Sequence, residues 1–527
     1  MSDYLRTIKD IDLNDKIIFL RTSYDLPLDS SKDIRTAERI KDDSRIRDSI
    51  PTIKYILGQR PAKLLIAAGW MGRPKGEDTG LTMAPAVLRL QDMLDEAGIK
   101  TTVRLAPDCL DGSAPRSVYR NQDEVKKTVD DLGKGEVLIF ENARFDKEAN
   151  KGDPGFARFM ASLAGKGAVY VNEAEAQNHR PEGTVKLVPG FIVEAGGDAV
   201  FGLKYFRVME SIGGIGKTLK QQDRGPFVFF LSGKKIEVAP GITSKITVTH
   251  KLLDSMREGD TVVVQGAVTY TFLLAKEWYD AFDQKRAMIK TLIDEHHERL
   301  ETETEGKSSD EAAEIEVTIQ KEKSEAILEA IGKNQDDIKA LIGGSYRKKG
   351  QEGEQVFFAY DVIAKAKEHG VRVQLAVDHC ITDRKPNKQG ILPDDADIKV
   401  YPKATGIPDG WMAVGPGPQT VRNLKNAYAG DGKGISLQAG PLQIEDRRVE
   451  GISKANTTLG EILREVKAAG WTTIAAGGDT ASETTQWNNE DAFSVISSAG
   501  GATLELMQSG TSVGAEAIRS AVSSKKD

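Results

Sequence analysis

The chain has 527 residues, with 72 Lys and Arg against 79 Asp and Glu, a formal net charge of -7 and 39% hydrophobic residues. That length exceeds what one compact core sustains, so two large domains with additions are expected. The acidic balance argues against a nucleic-acid-binding surface, and no uninterrupted apolar run reaches the ~20 residues that cross a bilayer.

The two cysteines, Cys109 and Cys380, are too few for a disulfide framework and sit in no metal-ligand spacing. The opening residues Met1-Ser2-Asp3-Tyr4 carry no basic run followed by an apolar stretch, and the ending Ser523-Ser524-Lys525-Lys526-Asp527 is not a Ser-Lys-Leu address. A cytoplasmic or cytoskeleton-associated protein is expected.

In chain order, apolar runs at residues 16–20, 63–67, 137–140 and 168–171 read as buried strands, separated by segments of helical period such as residues 87–97. Residues 192–222 read as a helix with a Gly-rich exit, a connector between domains. Within it, Ser211-Ile212-Gly213-Gly214-Ile215-Gly216-Lys217-Thr218 ends like a phosphate-binding loop, but its leading glycine is Ser211 and no buried strand feeds it. The strand series resumes at residues 227–231, 261–264, 371–375 and 471–474, giving two doubly wound parallel sheets of the α/β class. In such sheets functional residues gather beyond the carboxyl ends of strands, where Arg21, Arg73, Arg144 and Asp479 fall.

Residues 278–350 interrupt the second series with charged helical sequence. Phe282, Met288, Ile289, Leu292 and Ile293 form one apolar stripe, residues 304–309 break it, and Ile315, Ile319, Ala326, Ile327 and Ile331 form a second before Gly343-Gly344. A helical hairpin is expected, docked on its own domain or offering a face to a protein partner. His296-His297-Glu298 lacks the second histidine of a zinc-binding helix.

Phosphoryl transfer requires positive charge around the moving group and a metal on the nucleotide phosphates. Arginines recur in the first half: Arg21 in Phe19-Leu20-Arg21-Thr22-Ser23-Tyr24-Asp25, Arg45 in Asp42-Asp43-Ser44-Arg45-Ile46, Arg73 in Ala68-Gly69-Trp70-Met71-Gly72-Arg73-Pro74-Lys75-Gly76, Arg144 in Glu141-Asn142-Ala143-Arg144-Phe145, and Arg180 after His179. Singly, each is an ordinary surface charge. Together they resemble, in order and approximate spacing, the basic patch of the phosphoglycerate kinase family. The resemblance continues through Leu231-Ser232-Gly233-Lys234-Lys235, Gln265-Gly266-Ala267-Val268-Thr269-Tyr270, Gly440-Pro441, Gly477-Gly478-Asp479-Thr480-Ala481 and Gly500-Gly501-Ala502-Thr503.

The resemblance implies a bilobal fold joined by a hinge helix, with a phosphoglycerate-binding domain at 1–195 and a connector at 196–222. A nucleotide-binding domain follows at 223–504, carrying the 278–350 insertion, and a tail at 505–527 returns to the first domain. It implies phosphoryl transfer between 1,3-bisphosphoglycerate with ADP and 3-phosphoglycerate with ATP, using Mg2+. By position, Arg45 and Lys235 match catalytic groups; Arg21, Arg73, Arg144 and Arg180 match substrate-binding ones. Lys235, Lys245, Gly266, Asp446, Gly478, Asp479 and Thr480 match the nucleotide site, with Asp479 associated with the metal.

Departures fall at those same places. Where the family has Arg-Val-Asp-Phe-Asn, this chain has Arg21-Thr22-Ser23-Tyr24-Asp25, and a carboxylate at Asp25 repels an anion that an amide would accept. Trp70 replaces a substrate-binding histidine. The Gly-Gly-Gly before a tyrosine becomes Gln265-Gly266-Ala267, Trp-Asn-Gly-Pro becomes Gln438-Ala439-Gly440-Pro441, and Ala239 stands where a second lysine follows Lys235, unless Lys245 replaces it. A degenerate site, weakly active or inactive and serving as a binding or structural subunit, is one expectation; an active divergent glycolytic kinase is the alternative.

Overall fold

The computed structural model describes residues 6–147, 152–221, 223–233, 245–305, 307, 309–345, 352–387, 390–428, 433–442, 446 and 450–524. The chain divides into two compact units, Met1–Lys217 with Ala502–Asp527, and Thr218–Gly501.

In the first unit, β1 (Ile17–Arg21), β2 (Lys63–Ala67), β3 (Val103–Ala106), β4 (Val137–Phe140), β5 (Val169–Asn172) and β6 (Asp198–Phe201) form one sheet in the order β3-β4-β2-β1-β5-β6. Every pairing is parallel. Parallel strands need covered faces, which explains their continuous Val, Ile and Leu. Ile18, Leu20, Leu64, Ile66 and Ile139 share a core with Ile46, Ile53 and Ile56 of helix α1 (Ser44–Gly58) and with Val87, Leu90 and Leu94 of α2 (Ala84–Glu96).

The stretch 192–222 differs from expectation. Helix α3 (Val188–Glu194) stops at Gly196-Gly197, and the chain turns into β6 before α4 (Leu203–Gly213) begins. A Cβ on Gly197 would lie 2.2 Å from the Ala168 carbonyl oxygen, so only glycine permits this approach to the strand beside it. The loop-like signature at 211–218 lies in α4 and a short helix, Ile215–Thr218, with no strand leading into it.

The second unit contains β7 (Phe227–Leu231), β8 (Thr261–Val264), β9 (Arg372–Gln374), β10 (His379–Thr382), β11 (Ile398–Tyr401), β12 (Met412–Pro416), β13 (Ile435–Ala439), β14 (Thr472–Ala476) and β15 (Val495–Ser497). Six of them form a sheet in the order β15-β14-β13-β7-β8-β9, again all parallel. The expected pair of doubly wound parallel sheets is therefore present. An antiparallel three-stranded sheet, β11-β10-β12, was not anticipated.

The charged segment is helical: α5 (Tyr279–Thr304), α6 (Ser309–Ala330) and α7 (Gln335–Ile342) precede α8 (Glu352–Glu368). Its stripes are spent inside its own unit. Phe282 lies 5.9 Å from the Phe357 ring and 5.5 Å from that of Tyr360 on α8. Ile289, Ile293, Ile319, Ile327 and Ile331 are buried, whereas Met288, expected on the stripe, faces solvent. A Cβ on Gly353 would sit 2.6 Å from the Ser324 carbonyl oxygen, so α6 and α8 approach at backbone distance. His297 bonds Glu354 at 2.9 Å, and no group of three candidate metal ligands occurs among the described residues. Nor is any helix among them long and apolar enough to cross a membrane.

Candidate functional site

In the first unit, side chains converge beyond the carboxyl ends of β1, β2, β4 and β5, beside the point where strand order reverses. Asn142 ends β4's loop by accepting from the Arg144 amide at 3.0 Å and donating to the Met71 and Leu81 carbonyls at 2.8 Å. It thereby fixes Arg144 against the loop that follows β2. There the guanidinium donates to the Gly72 carbonyl and lies 4.4 Å over the Trp70 ring, a cation–π stack. Trp70 is 6% exposed. Gly72 holds φ +64° with Leu81 packed where a Cβ would be, so this loop cannot open by taking a side chain there.

Asp25 joins the cluster. Its Oδ1 accepts from the Gly72 amide at 2.9 Å, and its backbone carbonyl accepts from Arg45, the second residue of α1. Burial, and the nearby Arg180 and Arg73, lower the Arg144 pKa while Asp25 raises it. Excess positive charge in one place is the signature of an anion site. Arg45, Arg144, Arg73 and Arg180 are thus gathered around it, the last two exposed. Ser23 Oγ and His179 Nδ1 are buried without a hydrogen-bond partner among the described residues. Burial and Arg180 push the His179 pKa down to about 4, so its imidazole is neutral.

Arg21 does not belong with them, a correction to the sequence reading. It is 0% exposed and its fork is spent on Thr184 Oγ1 at 2.6 Å, Gln177 Oε1 at 2.9 Å, the Thr22 carbonyl and Glu182 at 3.1 Å. Its ion pair with Glu182 is buried on both sides, so Arg21 braces the loop after β5 instead of facing a ligand. The anionic partner that claims it, Glu182, was overlooked because acid and base lie far apart in sequence.

In the second unit, Gly233, Gln265, Gly266, Ala267, Tyr270, Pro441 and Leu442 line a pocket beyond the ends of β7, β8 and β13. Gly266 holds φ +67°, and a Cβ there would meet the Gly233 amide at 2.7 Å, leaving bare backbone at this point. His379, Ala376, Ala413, Val414 and Pro416 complete the wall. Asp479 is exposed in the first turn of helix α9 (Gly478–Gln486). One exposed carboxylate beside helix N-terminal amides suits a magnesium ion that keeps phosphate and water as its other ligands.

Two nucleotide-site expectations change. Thr480 is fully buried, its hydroxyl donating to the Ala476 carbonyl and accepting from the Gly440 amide, both at 2.8 Å, so its only proton is spent inside. Any phosphate contact at this position falls to its backbone amide. Asp446 is 2% exposed and accepts from the Leu392 amide at 2.9 Å, a structural bond where a ribose contact was expected. Gln438 turns its amide to the Gly440 carbonyl and Glu483, at 3.2 and 3.3 Å. Lys245 opens a helix, Lys245–Leu252, with its side chain outside the description; Lys235 and Ala239 lie outside the described residues.

The chain thus has two doubly wound α/β domains, one gathering arginines and the other forming a glycine-floored pocket with a carboxylate at a helix N-terminus. The family model described as phosphoglycerate kinase matches residues 8–338 and 337–510. The chain belongs to the phosphoglycerate kinase family. It is 29% identical over 502 residues to the cytosolic phosphoglycerate kinase of Triticum aestivum, covering 95% of each chain. To the phosphoglycerate kinase of Moorella thermoacetica it is 28% identical over 505 residues, covering 95% of this chain and 96% of the relative. Among solved structures, it resembles in fold the phosphoglycerate kinase of Coxiella burnetii, with a TM-score of 0.59, 20% identity and 98% of both chains covered. That of Pyrococcus horikoshii OT3 gives 0.62 at 15% identity, over 98% of this chain and 100% of the other.

Proposed function

We propose that this chain keeps the family's two binding sites, for a phosphorylated carboxylic acid and for ATP or ADP, but transfers the phosphoryl group slowly or not at all, and serves as a binding or structural subunit. The observation that carries this reading is the Arg144 guanidinium stacked on Trp70 beside the Asp25 carboxylate. A substrate must lift the arginine from its ring and carbonyl while meeting a fixed negative charge. Losing one well-placed charged donor costs about 3 kcal/mol of transition-state stabilisation, roughly a hundredfold in rate. Arg21 and the Thr480 hydroxyl are withdrawn as well.

Bound phosphate would still meet Arg45, Arg73 and Arg180, and magnesium on a nucleotide would be held through Asp479, supplying charge neutralisation there. The accessibility of these groups favours the second reading, an active divergent kinase of glycolysis. A protein partner on the 278–350 module would meet its charged outer face, because the apolar stripes are used internally. A cytoplasmic setting fits the cytosolic wheat relative. A coupled assay in both directions, with calorimetry of Mg-ATP and 3-phosphoglycerate, tests the proposal. The expected result is heat of binding with little or no turnover; turnover at an ordinary kinase rate that depends on Arg45 overturns it.

A further inference from the structure

The walls of the second unit's pocket present mostly carbon, with four polar side chains among them, Gln265, Thr269, Tyr270 and His379; the Thr269 hydroxyl proton is spent on the Val264 carbonyl at 3.3 Å. Gln265 follows β8, is 2% exposed, and leaves its Nε2 buried without a hydrogen-bond partner among the described residues. Buried polar groups are almost always paired, and an orphan at a pocket wall is a group that a ligand can complete. His379, on β10, is 1% exposed, and its Nε2 lies 2.9 Å from the Ala404 carbonyl oxygen. A carbonyl only accepts, so Nε2 carries the proton and Nδ1 is left as an acceptor. Burial lowers the His379 pKa, which keeps the ring in that neutral form. The Tyr270 ring, 5.3 Å away, packs against the imidazole and limits its rotation.

Gln265 and His379 therefore offer the pocket an N–H donor and a nitrogen acceptor, between largely apolar walls suited to a flat ring. A 6-aminopurine supplies the complement, an amino N–H beside a ring-nitrogen lone pair. Guanine could satisfy the same two groups through O6 and N1–H, but its 2-amino group would bring a further donor to a lining made largely of carbon, Ala413, Val414, Pro416 and Leu442 among it. We infer that Gln265 and His379 read the polar edge of the base, making this pocket select 6-aminopurine nucleotides through side chains. The inference rests on the nucleotide reading above, and it assigns selectivity to two residues that the sequence comparison had marked only as a departure or had passed over.

The test is calorimetry on the full chain with magnesium complexes of ADP, GDP and purine riboside 5′-diphosphate, which lacks the 6-amino group. The unmodified protein should bind ADP at least tenfold more tightly than either analogue. In Gln265→Met and in His379→Leu, each checked for an unchanged thermal transition, the preference should fall at least fivefold. Equal binding of ADP and the riboside diphosphate by the unmodified protein overturns the inference without any variant, as does a preference that survives both substitutions. In both cases nucleotide binding itself stands. Absence of binding by every nucleotide overturns the inference and the nucleotide reading together.

Discussion

Asp25 is the residue whose removal should most improve anion binding. Its Oδ1 accepts from the Gly72 amide at 2.9 Å, and its backbone carbonyl holds Arg45, so the carboxylate sits among the arginines that an oxyanion would use. Asp25→Asn keeps an oxygen for the Gly72 amide while deleting the charge. For a unit charge roughly 6 Å away, Coulomb's law gives about 0.7 kcal/mol at water's dielectric constant and about 2.8 kcal/mol at an effective value of 20. The dissociation constant for 3-phosphoglycerate should therefore fall roughly three- to hundredfold. Calorimetry at two ionic strengths measures this, and the gain should shrink as salt screens the exposed part of the site. An affinity that stays constant or weakens in Asp25→Asn would refute the reasoning, because it would mean that the carboxylate is a ligand contact and not a repulsive charge.

Other substitutions separate structural from functional groups. Arg21→Ala leaves Glu182 buried without its cation and should cost about 3–5 kcal/mol of stability, read as a lower urea midpoint; a midpoint close to that of the unmodified chain contradicts the bracing role. Phe282→Ala, which removes a ring packed on both Phe357 and Tyr360, should cost about 3–5 kcal/mol, seen in the melting of the second unit by calorimetry; an unaltered melt means that the module is not part of that unit's core. His179 has a folded-state pKa of about 4 against the ordinary 6.5, so it contributes stability that is full above the ordinary value and lost as pH falls from there toward 4. NMR titration of its ring should show that low value and a rise on adding phosphate; a value unmoved by phosphate places the anion elsewhere. Trp70→His alone should not restore an ordinary turnover rate, since Asp25 and the withdrawn Thr480 hydroxyl remain; full recovery in a coupled assay contradicts this.

Continuous apolar runs made most central strands readable, because a strand buried on both faces is usually written that way; β13, Ile-Ser-Leu-Gln-Ala, is central but carries two polar residues and was missed, whereas the edge strand β9 was read. The two edge strands of the first sheet escaped for the opposite reason. β3, Val-Arg-Leu-Ala, and β6, Asp-Ala-Val-Phe, have four residues each and carry a charge, so they read as loop or helix. Pairing with β4 and β5 makes them strands, and pairing partners are not a local property. The arginines were legible as a set through their surrounding motifs, but which of them is free was not. Arg21 and Arg144 look alike in sequence; Glu182 claims one, and Trp70 cradles the other. His379 gave no signal at all, since a lone histidine between Asp378 and Cys380 reads as an ordinary core residue until β10 folds over the pocket.

The helical module lies within the crossover from β8 to β9, between residues 264 and 372. Chain-closure entropy grows only logarithmically with length, about 0.6 kcal/mol per doubling, so a connection this long is scarcely harder to close than an ordinary one. β9 is also the last strand on its side of the sheet. The other five strands can pair without waiting for the segment between, and the module can form its own helices meanwhile. An elaboration of this size was thus accommodated at the one kind of position, a crossover to an edge, where it delays the arrival of a single short strand and leaves the order of the others intact.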